Sequence, residues 1–323
     1  MNKRALITGI SGQDGSYLAE LLLSKGYFVH GIIRRHSQVE NQTSRIDHIR
    51  DKINLEYGDL TDLTSLIRIL KEYQFDEIYN LGAMSNVGIS FKMPVYTQDA
   101  NYIGFINLLE AIKLTQLPTI KIYQASSSEM FGNQIDADGF QRETTPMIPV
   151  SPYGVSKLSA HLYAGHVRRS EDLYISCGVL FNHESYRRGI NFVTGKICKA
   201  VADIVKGKQN KLVLGNLDAK RDWGHSKDYV RVMWSMLQQD VADDYILCTG
   251  KTTSVREFCD IAFKSQGLNY KNWVTTDKKY LRSEELFYLR GCNDKIRENI
   301  GFELEYSLED MILEMINWHK KKK

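Results

Sequence analysis

The chain has 323 residues, with 42 Lys and Arg against 39 Asp and Glu for a formal charge of +3. That length holds one large domain or two unequal ones, and so even a balance offers no basic face for nucleic acid. The five cysteines are widely spaced, without a C-x-x-C pair or a zinc pattern, so they read as reduced core residues of a cytoplasmic protein with no structural metal. No stretch approaches the roughly 20 apolar residues of a membrane span, and MNKRALITG leaves no room for a secretory h-region.

Arg4–Thr8 holds the apolar run ALIT, followed by Gly9, Gly12 and Gly15 and an amphipathic pattern from Tyr17 to Leu23. This predicts a strand, a tight glycine turn and a helix, in which bare backbone approaches a pyrophosphate at the helix N-terminus; the alternative is an ordinary strand-to-helix turn. A second strand, Phe28–Ile33, ends in Arg34 and Arg35, where an acidic residue would otherwise bind a ribose 2′-hydroxyl. Two guanidiniums suit a 2′-phosphate, so NADP is expected over NAD; otherwise they cap a surface loop. His36–Ser44 lacks periodicity and reads as a loop, with Arg45 opening the next helix.

Strands are then expected at Ile53–Tyr57, Glu77–Leu81, Ile120–Ala125 and Tyr174–Leu180, and helices at Leu63–Leu70, Ile103–Ile112 and Tyr153–Arg169. Such alternation predicts an α/β fold, a Rossmann-type doubly wound parallel sheet. Ligands bind outside the carboxyl ends of its strands, where Gly9, Asp59, Ala83, Ser127 and Asn182 fall. Beyond Leu180 the alternation weakens without a glycine- or proline-rich linker. Residues 1–180 are therefore expected to form the cofactor domain, and 181–323 a smaller mixed α/β substrate lobe with some chain returning to the sheet.

YQASSSEMFG and SPYGVSK carry the chemistry. Tyr153 and Lys157 stand four apart, so on a helix they share a face, and a neighbouring ammonium stabilises a phenolate able to take a hydroxyl proton. The bland alternative is a surface helix. Ser127 and Glu129 follow the preceding strand. In the lobe, arginine-bearing segments around Asn182–Arg188, Arg221–His225 and Arg282–Glu285 suit a diphosphate-linked substrate, although each alone would also serve as a surface ion-pair site.

ITGISGQDGSYLAELLL, IYNLGAMSNVGISF, YQASSSEMFG, ETTPMIPVSPYGVSKL, LFNHESYRRG and LGNLDAKRDWGHSKDYV together resemble the extended short-chain dehydrogenases/reductases and, among them, the GDP-mannose 4,6-dehydratase family. The resemblance covers nearly the whole chain. It implies a cytoplasmic lyase in which Gly9, Gly12, Gln13, Asp14 and Gly15 bind the pyrophosphate of NADP, and Asp59 and Leu60 its adenosine end. Leu81, Gly82, Ala83, Ser85, Tyr96, Lys157, His183 and Arg188 complete that site. Ser127, Glu129, Tyr153 and Lys157 become the catalytic set, and Ser85, Asn182, Lys196, Arg221, Arg282 and Glu285 hold the GDP-sugar together with Ser127, Glu129 and Tyr153. A homotetramer, a dimer of dimers reached through the segment Arg34 to Arg45, is implied as well.

Four positions depart from the family pattern: Ser127 for threonine, Asn86 for histidine, Tyr186 for proline and Gly195 for arginine; the segment from Val255 to Arg282 is also shorter. GDP-mannose is the default substrate, with GDP-N-acetylglucosamine or a GDP-manno-heptose as rivals for the same reaction. A nucleotide-sugar epimerase or 4-keto reductase is the other enzymatic reading, and a non-catalytic NADP-binding module the third. Glu129 argues for dehydration, because acting at C4 alone needs no base for C5.

Overall fold

The computed structural model describes residues 2–35, 44–117, 119–280 and 284–322. Arg282 and residues 36–43 of the predicted arginine loop lie outside them. A seven-stranded sheet runs, from one edge to the other, through Asp244–Leu247, Ile175–Leu180, Lys121–Ser127, Glu77–Asn80, Arg4–Thr8, Phe28–Ile33 and Asn54–Tyr57. The six strands from Ile175–Leu180 to Asn54–Tyr57 pair in parallel. The order reverses at Arg4–Thr8, which lies between the second and fourth strands of the chain; the crevice of a doubly wound sheet opens at such a point.

Parallel strands buried on both faces need apolar runs, and ALIT, FVHGII and ISCGVL supply them. Leu6, Ile78, Ile122 and Ile175, from four adjacent strands, pack with Phe105, Leu108 and Leu109 of the Gly104–Leu114 helix. Ala160, Ala164 and Val167 of the Pro152–Ser170 helix belong to the same core. Burying each large apolar side chain here contributes about 2 kcal/mol.

The chain divides into two compact units. The first comprises Met1–Gly132, Met147–Leu180 and Tyr229–Tyr245, and the second Asn133–Pro146, Phe181–Asp228 and Ile246–Lys323. In the second, the helices Val193–Val205, Val255–Lys264 and Leu308–Lys321 bury Ile197, Val201, Phe258, Phe263, Met315 and Ile316 in one core. Capping boxes at Ser254/Glu257 and Ser307/Asp310 start two of these helices. Two-residue and three-residue ladders replace a sheet: Asn182–Glu184 with Trp223–His225, Lys220–Arg221 with Thr253–Ser254, and Leu212–Leu214 with Val274–Thr276.

One local expectation needs correction. Arg45 does not open a helix: it sits in a turn before the short 3-10 segment Asp47–Lys52, and its guanidinium donates to the Ser11 carbonyl at 3.3 Å. The helix expected at Ile103–Ile112 is present as Gly104–Leu114, preceded by a π-helical turn at Asp99–Ile103. All five cysteines are buried free thiols. No helix among the described residues is long and apolar enough to cross a membrane.

Candidate active site

The glycine turn is built by close approach. Gly9 has φ +71°, and a Cβ there would lie 3.0 Å from Gly82 Cα; a Cβ on Gly15 would meet the Gly9 carbonyl oxygen at 2.3 Å. A side chain at either position would therefore clash with backbone and prevent the tight turn that forms a cradle at the N-terminus of the Gln13–Ser24 helix. Behind it, side chains tie three neighbouring strands together. Thr8 Oγ1 donates to Asn80 Oδ1 and Asn80 Nδ2 to Gln124 Oε1, both at 2.7 Å, while the Gly82 N–H donates to Thr8 Oγ1 at 2.9 Å. This cradle, with helix N–H groups facing it, fits the pyrophosphate of a dinucleotide.

Among the other expected cofactor residues, the exposed Arg34 donates to the Tyr96 hydroxyl, and Arg35 is exposed beside it. Asp59 accepts from the Thr61 N–H and hydroxyl, each at 2.9 Å, and the Leu60 carbonyl accepts from Asn107 at 2.9 Å. Ser85 is exposed, and Asn86 caps the short helix Val87–Ser90, its Oδ1 accepting from the Ile89 N–H at 3.0 Å. That capping role gives Asn86 a local reason independent of any substrate.

The candidate catalytic set lies in the first unit. Ser127 ends its strand, and its Oγ accepts from the Glu129 N–H at 3.3 Å, opening the 3-10 turn Ser128–Met130. Ser127 and Glu129 are buried. The Pro152–Ser170 helix begins with Ser151 as N-cap, accepting from the Gly154 N–H at 3.0 Å, and with Pro152 in its first turn. The Tyr153 N–H donates to Ser90 Oγ at 3.2 Å. Gly154 lets this helix start press on the Glu129 turn: a Cβ there would lie 2.7 Å from the Glu129 carbonyl oxygen. Gly154→Ala therefore forces the two apart, and we expect a kcat loss of about tenfold from misplacement of Tyr153 relative to Glu129, read by steady-state kinetics with an unchanged far-ultraviolet dichroism spectrum.

One turn on, Lys157 is buried and donates to the Ala125 carbonyl at 2.8 Å, with Nζ 6.0 Å from the centroid of the Tyr153 ring. Burial lowers its pKa to about 8. Sequence reasoning missed Asn101, in the π-helical turn. It is buried, and its amide accepts from the Met84 N–H at 2.7 Å and donates to Ser156 Oγ at 2.9 Å. It thereby fastens the segment after the fourth strand to the residue preceding Lys157.

The second unit holds the remaining candidates. Asn182, His183 and Glu184 pair with Trp223, Gly224 and His225. His183 Nδ1 lies 2.7 Å from the Phe181 carbonyl; only a protonated Nδ1 bonds there, which leaves Nε2 of the neutral ring as the acceptor. Arg188 Nε stands 2.8 Å from the buried Glu184 carboxylate, with its guanidinium over the Phe192 ring. Lys196 donates to the Val213 carbonyl and Arg221 to the Lys220 and Leu286 carbonyls, so part of each charge serves the fold. The Glu285 carbonyl accepts from Asn133 at 3.0 Å. A Cβ on Gly195 would approach the Gly189 carbonyl oxygen at 2.7 Å, so the loop before this helix lies closer than a side chain there permits.

A sequence model of the family described as GDP-mannose 4,6 dehydratase matches residues 6–315. The chain belongs to the GDP-mannose 4,6-dehydratase family. It is 46% identical over 349 residues to the GDP-mannose 4,6-dehydratase of Yersinia enterocolitica, covering 97% of this chain and 93% of that protein. It is 47% identical to GDP-mannose 4,6 dehydratase 1 of Arabidopsis thaliana, covering 98% and 89%, and 45% identical to the human GDP-mannose 4,6 dehydratase, covering 97% and 90%. Among solved structures, the dTDP-glucose 4,6-dehydratase of Streptomyces venezuelae, with NAD and TYD bound, superposes with a TM-score of 0.85 at 22% identity, over 99% of this chain and 97% of that one. A UDP-glucose 4-epimerase from Thermotoga maritima gives 0.86 at 21%, over 98% and 99%. At such identities these two speak to the fold, which is the Rossmann-type sheet expected for the dehydratase family.

Proposed function

We propose that this chain is a GDP-sugar 4,6-dehydratase acting in the cytoplasm, with GDP-mannose as its default substrate and the 4-keto-6-deoxy sugar nucleotide as its product. The docking of the Pro152–Ser170 helix start on the Glu129 turn is the observation that carries the reading. It sets the turn that carries Ser127 and the buried Glu129 against the start of the helix that carries Tyr153 and, one turn on, the buried Lys157.

The glycine cradle fits a dinucleotide, and Arg34 and Arg35 favour NADP through its 2′-phosphate. The glycine turn at Gly9, Gly12 and Gly15 with Arg34 and Arg35 would hold NADP, which would supply reversible hydride transfer between C4 and C6 with no net oxidation. Tyr153 takes the C4 hydroxyl proton, with the Lys157 ammonium stabilising its anion, and Ser127 donates a hydrogen bond to O4. The ketone at C4 acidifies C5, from which Glu129 removes a proton. One of the two protons taken leaves with the C6 hydroxyl as water, and the other, after exchange with solvent, returns to C5. Asn182, Lys196, Arg221, Arg282 and Glu285 are proposed to hold the GDP-sugar, and His183 and Arg188 to contact the cofactor. A homotetramer is proposed on family grounds. The exposed Val155 and Leu162, on one face of the Pro152–Ser170 helix, support contact between copies.

Incubation with GDP-mannose is expected to form a 4-keto product without net accumulation of NADPH. Stoichiometric NADPH release would instead identify a dehydrogenase, and C4 inversion with C6 intact an epimerase.

A further inference from the structure

The loop bearing Asn182, His183 and Arg188 turns sharply after its strand, the Arg188 N–H donating to the Ser185 carbonyl at 2.9 Å. The C-terminal helix, Leu308–Lys321, grips this turn at two points. Glu314 accepts from the backbone N–H of Tyr186 and lies 2.9 Å from His225 Nε2. Because the Lys227 N–H donates to His225 Nδ1 at 3.1 Å, the neutral ring carries its proton on Nε2 and donates it to Glu314. His225 itself pairs with Glu184 in the strand that leads into the loop, and its buried ring stacks on Tyr306 at 4.1 Å. Burial pushes the Glu314 carboxyl up, but His225 and Lys227 with the Tyr186 N–H outweigh this and hold it below the usual range.

One turn further, the Trp318 ring packs on the Tyr186 ring with centroids 5.6 Å apart. The Tyr186 hydroxyl in turn receives the Arg187 guanidinium, Nε at 3.2 Å and Nη2 at 3.1 Å. Tyr186 is thus fixed through its N–H, its ring and its hydroxyl.

We propose that Glu314 and Trp318 are positioning residues, through which the C-terminal helix sets the conformation of the Asn182–Arg188 loop and hence the affinity for the dinucleotide and the GDP-sugar. The proposal rests on the proposed roles of Asn182, His183 and Arg188. It makes Tyr186, which departs from the family pattern, the residue that this helix grips.

The test compares Glu314→Ala, Trp318→Ala, Tyr186→Ala and the Trp318→Ala/Tyr186→Ala double variant with Glu309→Ala, an exposed control on the same helix. The readouts are NADP titration by calorimetry, KM and kcat for GDP-mannose, and the thermal midpoint. Glu314→Ala is expected to raise the NADP Kd and the KM about tenfold, the effect of losing a half-buried charged acceptor, with kcat at saturation within about twofold of wild type. Trp318→Ala and Tyr186→Ala should each give a smaller rise, and their double variant less than the sum of the two singles, because the ring contact is lost in both. Trp318→Phe should recover most of the affinity. Wild-type affinity in Glu314→Ala, or additive effects at 186 and 318, would overturn the proposal, as would loss of kcat and thermal midpoint with unchanged KM. Should Glu314→Ala not fold, the 186/318 cycle decides alone. NADP titration needs no turnover, so a wild type inactive on every GDP-sugar would sink the dehydratase reading and still leave the grip on the loop measurable.

Discussion

Glu129→Gln is expected to bind GDP-mannose with a Kd close to that of the wild type and to lose about a thousandfold in kcat, within the range for removal of a positioned acid-base group. The amide keeps the shape of the carboxylate and so preserves the turn closed by Ser127 Oγ and the Glu129 N–H. It cannot accept the C5 proton. The informative readout is solvent exchange: wild-type product carries deuterium at C5 when formed in D2O, whereas substrate recovered from the variant should carry none. Wild-type turnover in Glu129→Gln would assign the C5 proton to another group.

The second large effect belongs to Lys157. Its ammonium is buried against the Ala125 carbonyl, and burial brings its pKa down to about 8. Below that value it is charged and supports the Tyr153 anion. As pH rises through about 8 the charge is lost, so kcat should fall on the alkaline side with a single-proton slope. Lys157→Met should lose about a thousandfold in kcat.

Stability moves the other way. A lysine whose folded pKa lies below its unfolded value contributes stability above the unfolded value of 10.5, and that contribution disappears as pH falls through about 8. At neutral pH the buried charge therefore costs stability, and Lys157→Met should gain about 2 kcal/mol at pH 7 after loss of the bond to Ala125. Denaturant unfolding at pH 7 and pH 10 checks the sign, since the gain should shrink at the higher pH. A variant both inactive and less stable at pH 7 would contradict the assignment of burial as the dominant influence on Lys157. A site that accepts such a cost trades stability for chemistry.

The parts of this architecture visible in the sequence are those written in local periodicity. ALIT followed by glycines at 9, 12 and 15 identifies a strand and a tight turn because close approach to Gly82 and to the helix start excludes side chains. Tyr153 and Lys157 share a helix face by spacing alone. Asn101 was hidden because a π-turn has no apolar period of its own and is recognised only by what its side chain ties together. Gly154 was hidden for a similar reason: what it touches, the Glu129 carbonyl, lies across a long connection, and nothing next to it in sequence reveals the contact. Asn86 stands out in the sequence only as a departure from the family pattern, and its side chain caps the Val87–Ser90 helix. The Glu314 contacts join residues far apart in sequence, and no motif announces them.

The most direct measurement follows one hydrogen through the reaction. GDP-mannose deuterated at C4 is incubated with the purified enzyme, and the product is examined by mass spectrometry and proton magnetic resonance. One water is expected to be lost with the deuterium retained at C6, since the hydride removed from C4 is the one returned within the same active site. Loss of the label, its retention at C4, or no loss of water would contradict this mechanism.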